Sequence, residues 1–128
     1  MRILIIDDDI KVIQNLEMYF QRAHHTLEWR TFIEDEESLR KTLESFEPTG
    51  VVVDYEMPNH KGAEVYRWIR EWDQDVPIVF YSRYGEDPDI TLRMRDAGAS
   101  GRFTMMKSNA GRDAGRLLML LERSEGDT

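Results

Sequence analysis

Three continuous apolar runs, Ile3-Leu4-Ile5-Ile6, Val51-Val52-Val53 and Ile78-Val79-Phe80-Tyr81, each stop abruptly at a polar residue. Runs this short, rich in β-branched residues and without polar alternation, suit strands buried on both faces, as in a parallel sheet. Stretches with apolar residues at helical spacing lie between them. Ile10, Ile13, Leu16 and Phe20 follow the first run, flanked by Val12 and Tyr19; Leu39, Leu43 and Phe46 precede the second; Val65, Ile69 and Trp72 precede the third. A further strand is expected within Thr26–Phe32 and a fifth near Arg102–Met106. Helices are expected around Asp89–Ala97, with Gly98 as their stop, and from Ala110 to about Arg123, with Ala114, Leu117 and Leu121 inward. Strand and helix alternate five times. That predicts the α/β class: a single doubly wound (βα)5 domain, its parallel five-stranded sheet in the flavodoxin-like order 2-1-3-4-5 with helices on both faces.

The chain of 128 residues suits one core, with the domain over residues 1–123 and a short solvated tail over 124–128. No apolar run approaches the roughly 20 residues of a membrane-spanning helix. The N-terminus enters a strand at Ile3 and meets three aspartates from Asp7, unlike a signal peptide. With 33% charged residues and no cysteine, the expectation is a cytoplasmic protein without disulfides or a thiolate metal site. A formal net charge of −8 disfavours direct nucleic-acid binding by this domain, because phosphate contacts need clustered Lys and Arg.

In open α/β sheets the working site lies beyond the carboxyl ends of the strands. Asp7 and Asp8 follow the first run, Asp54 the second and Ser82 the third. Aspartates after strands often do no more than cap a helix, and Asp9 is read that way; Asp7-Asp8 alone suit a cap or a metal equally. In the flavodoxin-like order, however, strands one and three are neighbours, so three carboxylates converge. Like charges raise each other's pKa, and a divalent cation relieves the conflict. An all-carboxylate site with open water positions suits Mg²⁺ and phosphoryl transfer, with a carboxylate as nucleophile.

Several blocks then resemble response-regulator receiver domains, the CheY-like family of two-component signalling. Ile3–Asp8 looks like the opening strand and acid pair of that family. Val51–Pro58, Val-Val-Val-Asp-Tyr-Glu-Met-Pro, resembles the phosphoacceptor strand and its Met-Pro loop, followed by Gly62. Pro77–Ser82 resembles the strand that ends in Ser or Thr, and Ala97-Gly98-Ala99 the segment before the last strand. The blocks occur in order over nearly the whole chain. The resemblance implies Asp54 as phosphoacceptor, Asp8 as a direct Mg²⁺ ligand with Asp7 nearby or acting through water, the Glu56 backbone carbonyl as a further ligand, and Ser82 as a hydrogen-bond donor to the phosphoryl group. It implies a histidine kinase or phosphotransfer protein as phosphodonor and a downstream protein as target. A homodimer through the face of helix 4, strand 5 and helix 5 is also among its implications. Receiver domains of this kind assist their own phosphoryl transfer and hydrolysis without being enzymes on other substrates.

The pattern departs from the family near strand five. Counting from Gly98, the expected lysine position holds Met105, and Lys107 comes two residues later. A two-residue bulge or extension would bring Lys107 into place without changing its face, because the strand period is two. Arg83 stands beside Ser82 where the family has a small residue, and would cover the site, contact the phosphoryl group or point to solvent. Lys107 rather than Arg83 is expected to supply the positive charge. Arg102 and Phe103 fall where the family often has its aromatic switch residue. His24, His25 and His60 show no zinc spacing and read as surface residues; Trp68 and Trp72, one turn apart, read as packing, as do Met105 and Met106. The Glu56 side chain faces either the metal or solvent. Two other classes compete: a pseudo-receiver interaction module not controlled by phosphorylation, which Met105 and Arg83 favour, and a metal-dependent phosphatase, for which Glu56 is suitably spaced but no cap domain is visible.

Overall fold

A computed structural model describes residues 1–83, 87–96 and 104–123. Five strands, β1 (Arg2–Ile6), β2 (Thr26–Arg30), β3 (Gly50–Val53), β4 (Ile78–Ser82) and β5 (Thr104–Met106), alternate with five helices, α1 (Ile10–Arg22), α2 (Glu36–Phe46), α3 (Gly62–Trp72), α4 (Pro88–Asp96) and α5 (Ala110–Leu121). The sheet is entirely parallel, in the order β2-β1-β3-β4-β5. This is the doubly wound arrangement expected from the sequence. The expectations for Gly98, for Arg102 and Phe103 and for the tail at 124–128 lie outside the described residues. Among the described residues no helix is long and apolar enough to cross a membrane.

The uninterrupted apolar runs are explained by two cores, one on each face of the sheet. Successive strand side chains alternate in direction. Leu4, Ile6, Val51, Val53, Ile78 and Phe80 therefore pack with Leu39 and Leu43 of α2, Val65 and Ile69 of α3 and Met94 of α4. Ile3, Ile5, Val52, Val79 and Tyr81 pack on the other face with Ile13, Leu16 and Phe20 of α1 and Ala114, Leu117 and Leu121 of α5. Trp68 and Trp72 are half-buried against the first core, in keeping with a packing role. Ile10 departs from its expected inward position: it is 42% exposed, because the inward stripe of α1 begins at Ile13.

Helix starts are set by side chains that satisfy otherwise unpaired N–H groups. Asp9 accepts from the Lys11 N–H, Asp35 from Ser38 and Asn109 from Arg112. Asp9 is thus the cap expected of it, and α2 begins directly after Asp35. These caps fix where α1, α2 and α5 begin, whereas α3 starts after Lys61 without a side-chain cap.

Candidate functional site

The register puts the functional side chains at one edge of the sheet. Ile6 pairs with Val53, so Asp7 and Asp54 leave adjacent strands side by side. The Asp54 N–H donates to the Ile6 carbonyl at 2.8 Å. On the other side of β3, Val53 pairs with Phe80, and Ser82 ends β4. Met106 lies opposite Ser82, and the Lys107 N–H donates to the Ser82 carbonyl at 2.8 Å. Asp8, Asp54, Glu56, Ser82, Arg83 and Lys107 line a cleft of about 200 Å³.

The Lys107 ammonium stands 2.8 Å from Asp7 Oδ2 and 3.0 Å from Asp54 Oδ2. The register of β5 accounts for this reach. Thr104, Met105 and Met106 pair consecutively with Phe80, Tyr81 and Ser82. Of the bulge or extension expected, no bulge lies between Thr104 and Lys107, and the lysine follows the last strand pair directly. Met105 is nearly buried in the α1/α5 core, which keeps its side chain away from the cleft. Arg83 is exposed but does line the cleft, so it does not simply point away.

Asp7, Asp8 and Asp54 each offer a carboxylate oxygen, and these oxygens lie within 4.8 Å of one another. Asp7 and Asp54 are buried and Asp8 is exposed. The Asp54 pKa is raised from 3.8 to about 6, first by burial and also by the charge of Asp7, with Lys107 and the Glu56 N–H opposing the rise. Asp7 is likewise raised, first by burial, with Lys107 and the Asp9 N–H opposing. Burial would lower the Lys107 pKa, but its bond to Asp7 and the charges of both aspartates hold it above the usual lysine value. The two buried carboxylates share the Lys107 ammonium, and Asp8 adds a third, exposed carboxylate beside them. An all-oxygen donor set with excess negative charge at a solvent-open cleft fits a hard divalent cation that retains waters.

Glu56 is half-exposed. Its carboxylate bonds the Lys61 ammonium at 2.7 Å, and an isolated antiparallel bridge joins the same two residues. The loop after β3 is thereby closed into a hairpin beside Asp54. Gly62 begins α3 under that hairpin: its N–H donates to the Tyr55 carbonyl at 2.7 Å, and an added Cβ would lie 2.7 Å from Tyr55 Cα. His60 is not merely a surface residue. Its ring nitrogens contact Glu64 at 2.5 Å and the Glu34 carbonyl at 3.1 Å, its ring meets Trp68 edge-on at 4.9 Å, and Asn59 bonds the Ile33 carbonyl beside it. Both residues anchor the loop after β3 to the segment before α2. His25, half-buried, contacts the N-terminal amine at 2.7 Å, while His24 is exposed.

Sequence reasoning missed one polar group next to the cleft. Asp113, in the first turn of α5, is nearly buried and accepts from the Tyr81 hydroxyl at 2.6 Å, the Ser108 N–H at 2.9 Å, the Ser108 hydroxyl at 2.8 Å and the Asn109 N–H at 3.0 Å. Burial alone would raise its pKa, but these donors hold it below the usual aspartate value. A signal was present: a tyrosine in an otherwise apolar buried strand needs a partner for its hydroxyl.

Comparison with known proteins agrees with this geometry. The model of the response regulator receiver domain family matches residues 3–108. The transcriptional regulatory protein PrrA of Mycobacterium leprae is 35% identical over 98 residues, 77% of this chain and 40% of PrrA. The response regulator protein GraR of Staphylococcus aureus is 31% identical over 94 residues, 73% of this chain and 40% of GraR. The chain thus spans about 40% of the length of these curated relatives. The Vibrio cholerae chemotaxis protein CheY4 shares the fold with a TM-score of 0.78 at 19% identity, over 94% of this chain and 97% of CheY4. The chain belongs to the response regulator receiver domain family of two-component systems.

Proposed function

We propose that the chain is a phosphorylation-controlled switch in which Asp54 accepts a phosphoryl group with the help of Mg²⁺. The observation that carries this reading is the Lys107 ammonium, 3.0 Å from Asp54 Oδ2 at the edge of an open cleft lined by Asp8 and Ser82. Phosphoryl transfer asks mainly for positioning and for charges that neutralise the moving group. An Asp54 oxygen attacks the phosphorus of a phosphohistidine; the new O–P bond forms as the P–N bond breaks, and the imidazole nitrogen leaves with the bond pair and takes up a proton. With a pKa of about 6, Asp54 is largely ionised at neutral pH and able to act as nucleophile. Lys107 and Ser82 would hold phosphoryl oxygens, the first by charge and the second by its hydroxyl.

Asp7, Asp8 and Asp54 would hold the metal, with the Glu56 backbone carbonyl as a further ligand. When bound, Mg²⁺ would supply charge neutralisation for the incoming phosphoryl group. The phosphodonor is a histidine kinase or phosphotransfer protein, and the output is a changed surface made by α4, β5 and α5 for a downstream protein or a second copy of the chain. Asp7, Asp8, Asp54, Ser82 and Lys107 gathered at one sheet edge count against the pseudo-receiver, which would not need all five there. The test is labelling by a small phosphodonor, followed by mass spectrometry. Phosphate is expected on Asp54 only with Mg²⁺ present, and none in Asp54→Ala. Phosphate on another residue, or none under any condition, would overturn the proposal in favour of the pseudo-receiver.

A further inference from the structure

We infer that Asp113 is a positioning residue for Lys107, clamping the turn after β5 to the Tyr81 hydroxyl so that the ammonium stays at Asp54. The inference rests on the phosphoacceptor reading above and adds a device to it. Lysine has a long flexible stem, and holding its ammonium at one point requires that its backbone be fixed first. On the N-terminal side this is done by the sheet: Met106 pairs with Ser82, and the Lys107 N–H bonds the Ser82 carbonyl. On the C-terminal side no strand continues. There the next two N–H groups, those of Ser108 and Asn109, both donate to Asp113 Oδ2, and the Ser108 hydroxyl donates to Oδ1.

Asp113 is itself fixed from two directions. Its own N–H donates to the Asn109 carbonyl at 2.7 Å, which roots it in the first turn of α5. The Tyr81 hydroxyl donates to Oδ2 at 2.6 Å, and Tyr81 is the β4 residue immediately before Ser82. The Tyr81 ring centre also lies 5.8 Å from the Lys107 ammonium. One carboxylate therefore joins the ends of β4 and β5 and the start of α5 around the lysine. A buried acceptor with four donors is worth more than the pairwise bonds, and its removal strands each donor. The charge of Asp113 is not needed for this geometry. In an asparagine, the carbonyl can take the three bonds of Oδ2 while the amide donates to the Ser108 oxygen.

The test uses the full chain with the variants Asp113→Ala, Asp113→Asn, Lys107→Ala and the double variant Asp113→Ala/Lys107→Ala. Two quantities are read: the exchange-protected side-chain ammonium resonance of Lys107 in metal-free ¹⁵N-labelled protein, and the rate of Mg²⁺-dependent labelling by a small phosphodonor. Asp113→Ala is expected to lose the resonance and to slow labelling about tenfold, and Asp113→Asn to keep both. In the Lys107→Ala background the loss of Asp113 is expected to add nothing, since it acts through the lysine. A resonance that survives in Asp113→Ala, or an equal slowing in the Lys107→Ala background, would overturn the inference. If Asp113→Ala does not fold, Tyr81→Phe is read in its place: a weakened resonance supports the clamp and an unchanged one refutes it. If the unaltered chain is never labelled, the phosphoacceptor reading fails, and the resonance alone decides the clamp.

Discussion

Lys107 and Asp54 lie 53 positions apart in the chain, yet the ammonium of one stands 3.0 Å from Oδ2 of the other. The sheet makes this contact. Asp54 follows Val53, which pairs with Phe80 of β4, and Lys107 follows Met106, the β5 residue that pairs with Ser82. The cation is carried on a strand end two strands away from Asp54 and three away from the carboxylate's other neighbour, Asp7, and it reaches both acids.

Removing that cation should be costly and specific. Lys107→Ala is expected to slow Mg²⁺-dependent labelling of Asp54 about a hundredfold, in the range found for deleting one preorganised donor at a reacting group. Arg83→Ala should cost several-fold less, because Arg83 lines the cleft from an exposed position. Labelling rates compared side by side check this. If Arg83→Ala abolishes labelling while Lys107→Ala leaves it intact, the arginine supplies the charge.

The raised pKa of Asp54 has a consequence for stability. Its folded value of about 6 lies above the ordinary 3.8, so between those two values the folded state binds more protons than the unfolded one. Stability must then fall as the pH rises through that window, and the strain is fully present at neutral pH. Asp54→Asn is expected to stabilise the metal-free protein by about 1–2 kcal/mol at pH 7–8, after allowance for solvent screening. The gain should vanish below about pH 4, where both states bind the proton. Thermal melts of both proteins across that range, without Mg²⁺, give the comparison. A gain that does not change with pH would mean that ionised Asp54 is not the source of the strain.

Much of this arrangement is legible in the residues, for stated reasons. Ile3–Ile6, Val51–Val53 and Ile78–Tyr81 announce strands because both faces of the sheet are covered, and once the strand order is inferred the acids at their ends must meet. Ile10 shows where periodicity overreaches: it keeps the helical spacing but sits at the first turn of α1, beyond the edge of the core. The reach of Lys107 depends on where two additional residues are accommodated, and spacing alone does not locate them; the strand pairing shows that they do not fall between Thr104 and Lys107. The His60 anchor and the Tyr81–Asp113 bond join residues 26 and 32 positions apart through single polar contacts. Such contacts leave no periodic trace, although a hydroxyl within a buried strand does ask for a partner.

Metal binding should depend on the exposed acid. Asp8 is open to solvent while Asp7 and Asp54 are engaged by Lys107, so Asp8 is the carboxylate most available to an incoming cation. Asp8→Asn keeps the shape and removes the charge. It is expected to weaken Mg²⁺ binding about tenfold or more. A calorimetric or fluorescence titration with Mg²⁺ reads this directly; equal affinities in the two proteins would remove Asp8 from the ligand set.

Gly62 offers a test of how firmly the loop after β3 must be held for Asp54 to work. A Cβ at this position would lie 2.7 Å from Tyr55 Cα, 3.1 Å from the Phe80 ring and 3.2 Å from the Asp54 carbonyl oxygen. The nearest of these atoms is backbone, which cannot swing aside as a side chain can, and both Tyr55 and Phe80 are buried in the α2/α3/α4 core. The close approach is maintained by the Gly62 N–H bond to the Tyr55 carbonyl. Gly62→Ala must therefore push the start of α3 away from Tyr55 or push Tyr55 and Asp54 toward the cleft. The first route loosens the core and the second displaces the carboxylate. The expected cost is about 1–3 kcal/mol of stability, as for other overpacked sites. Labelling of Asp54 should slow more than Gly62→Ala destabilises the fold, because a shift of even 1 Å at a reacting group is felt in the rate. The two effects are separated by measuring the labelling rate well below the melting temperature. A destabilised Gly62→Ala that is labelled at the unaltered rate would show that the helix, not the acceptor, gives way.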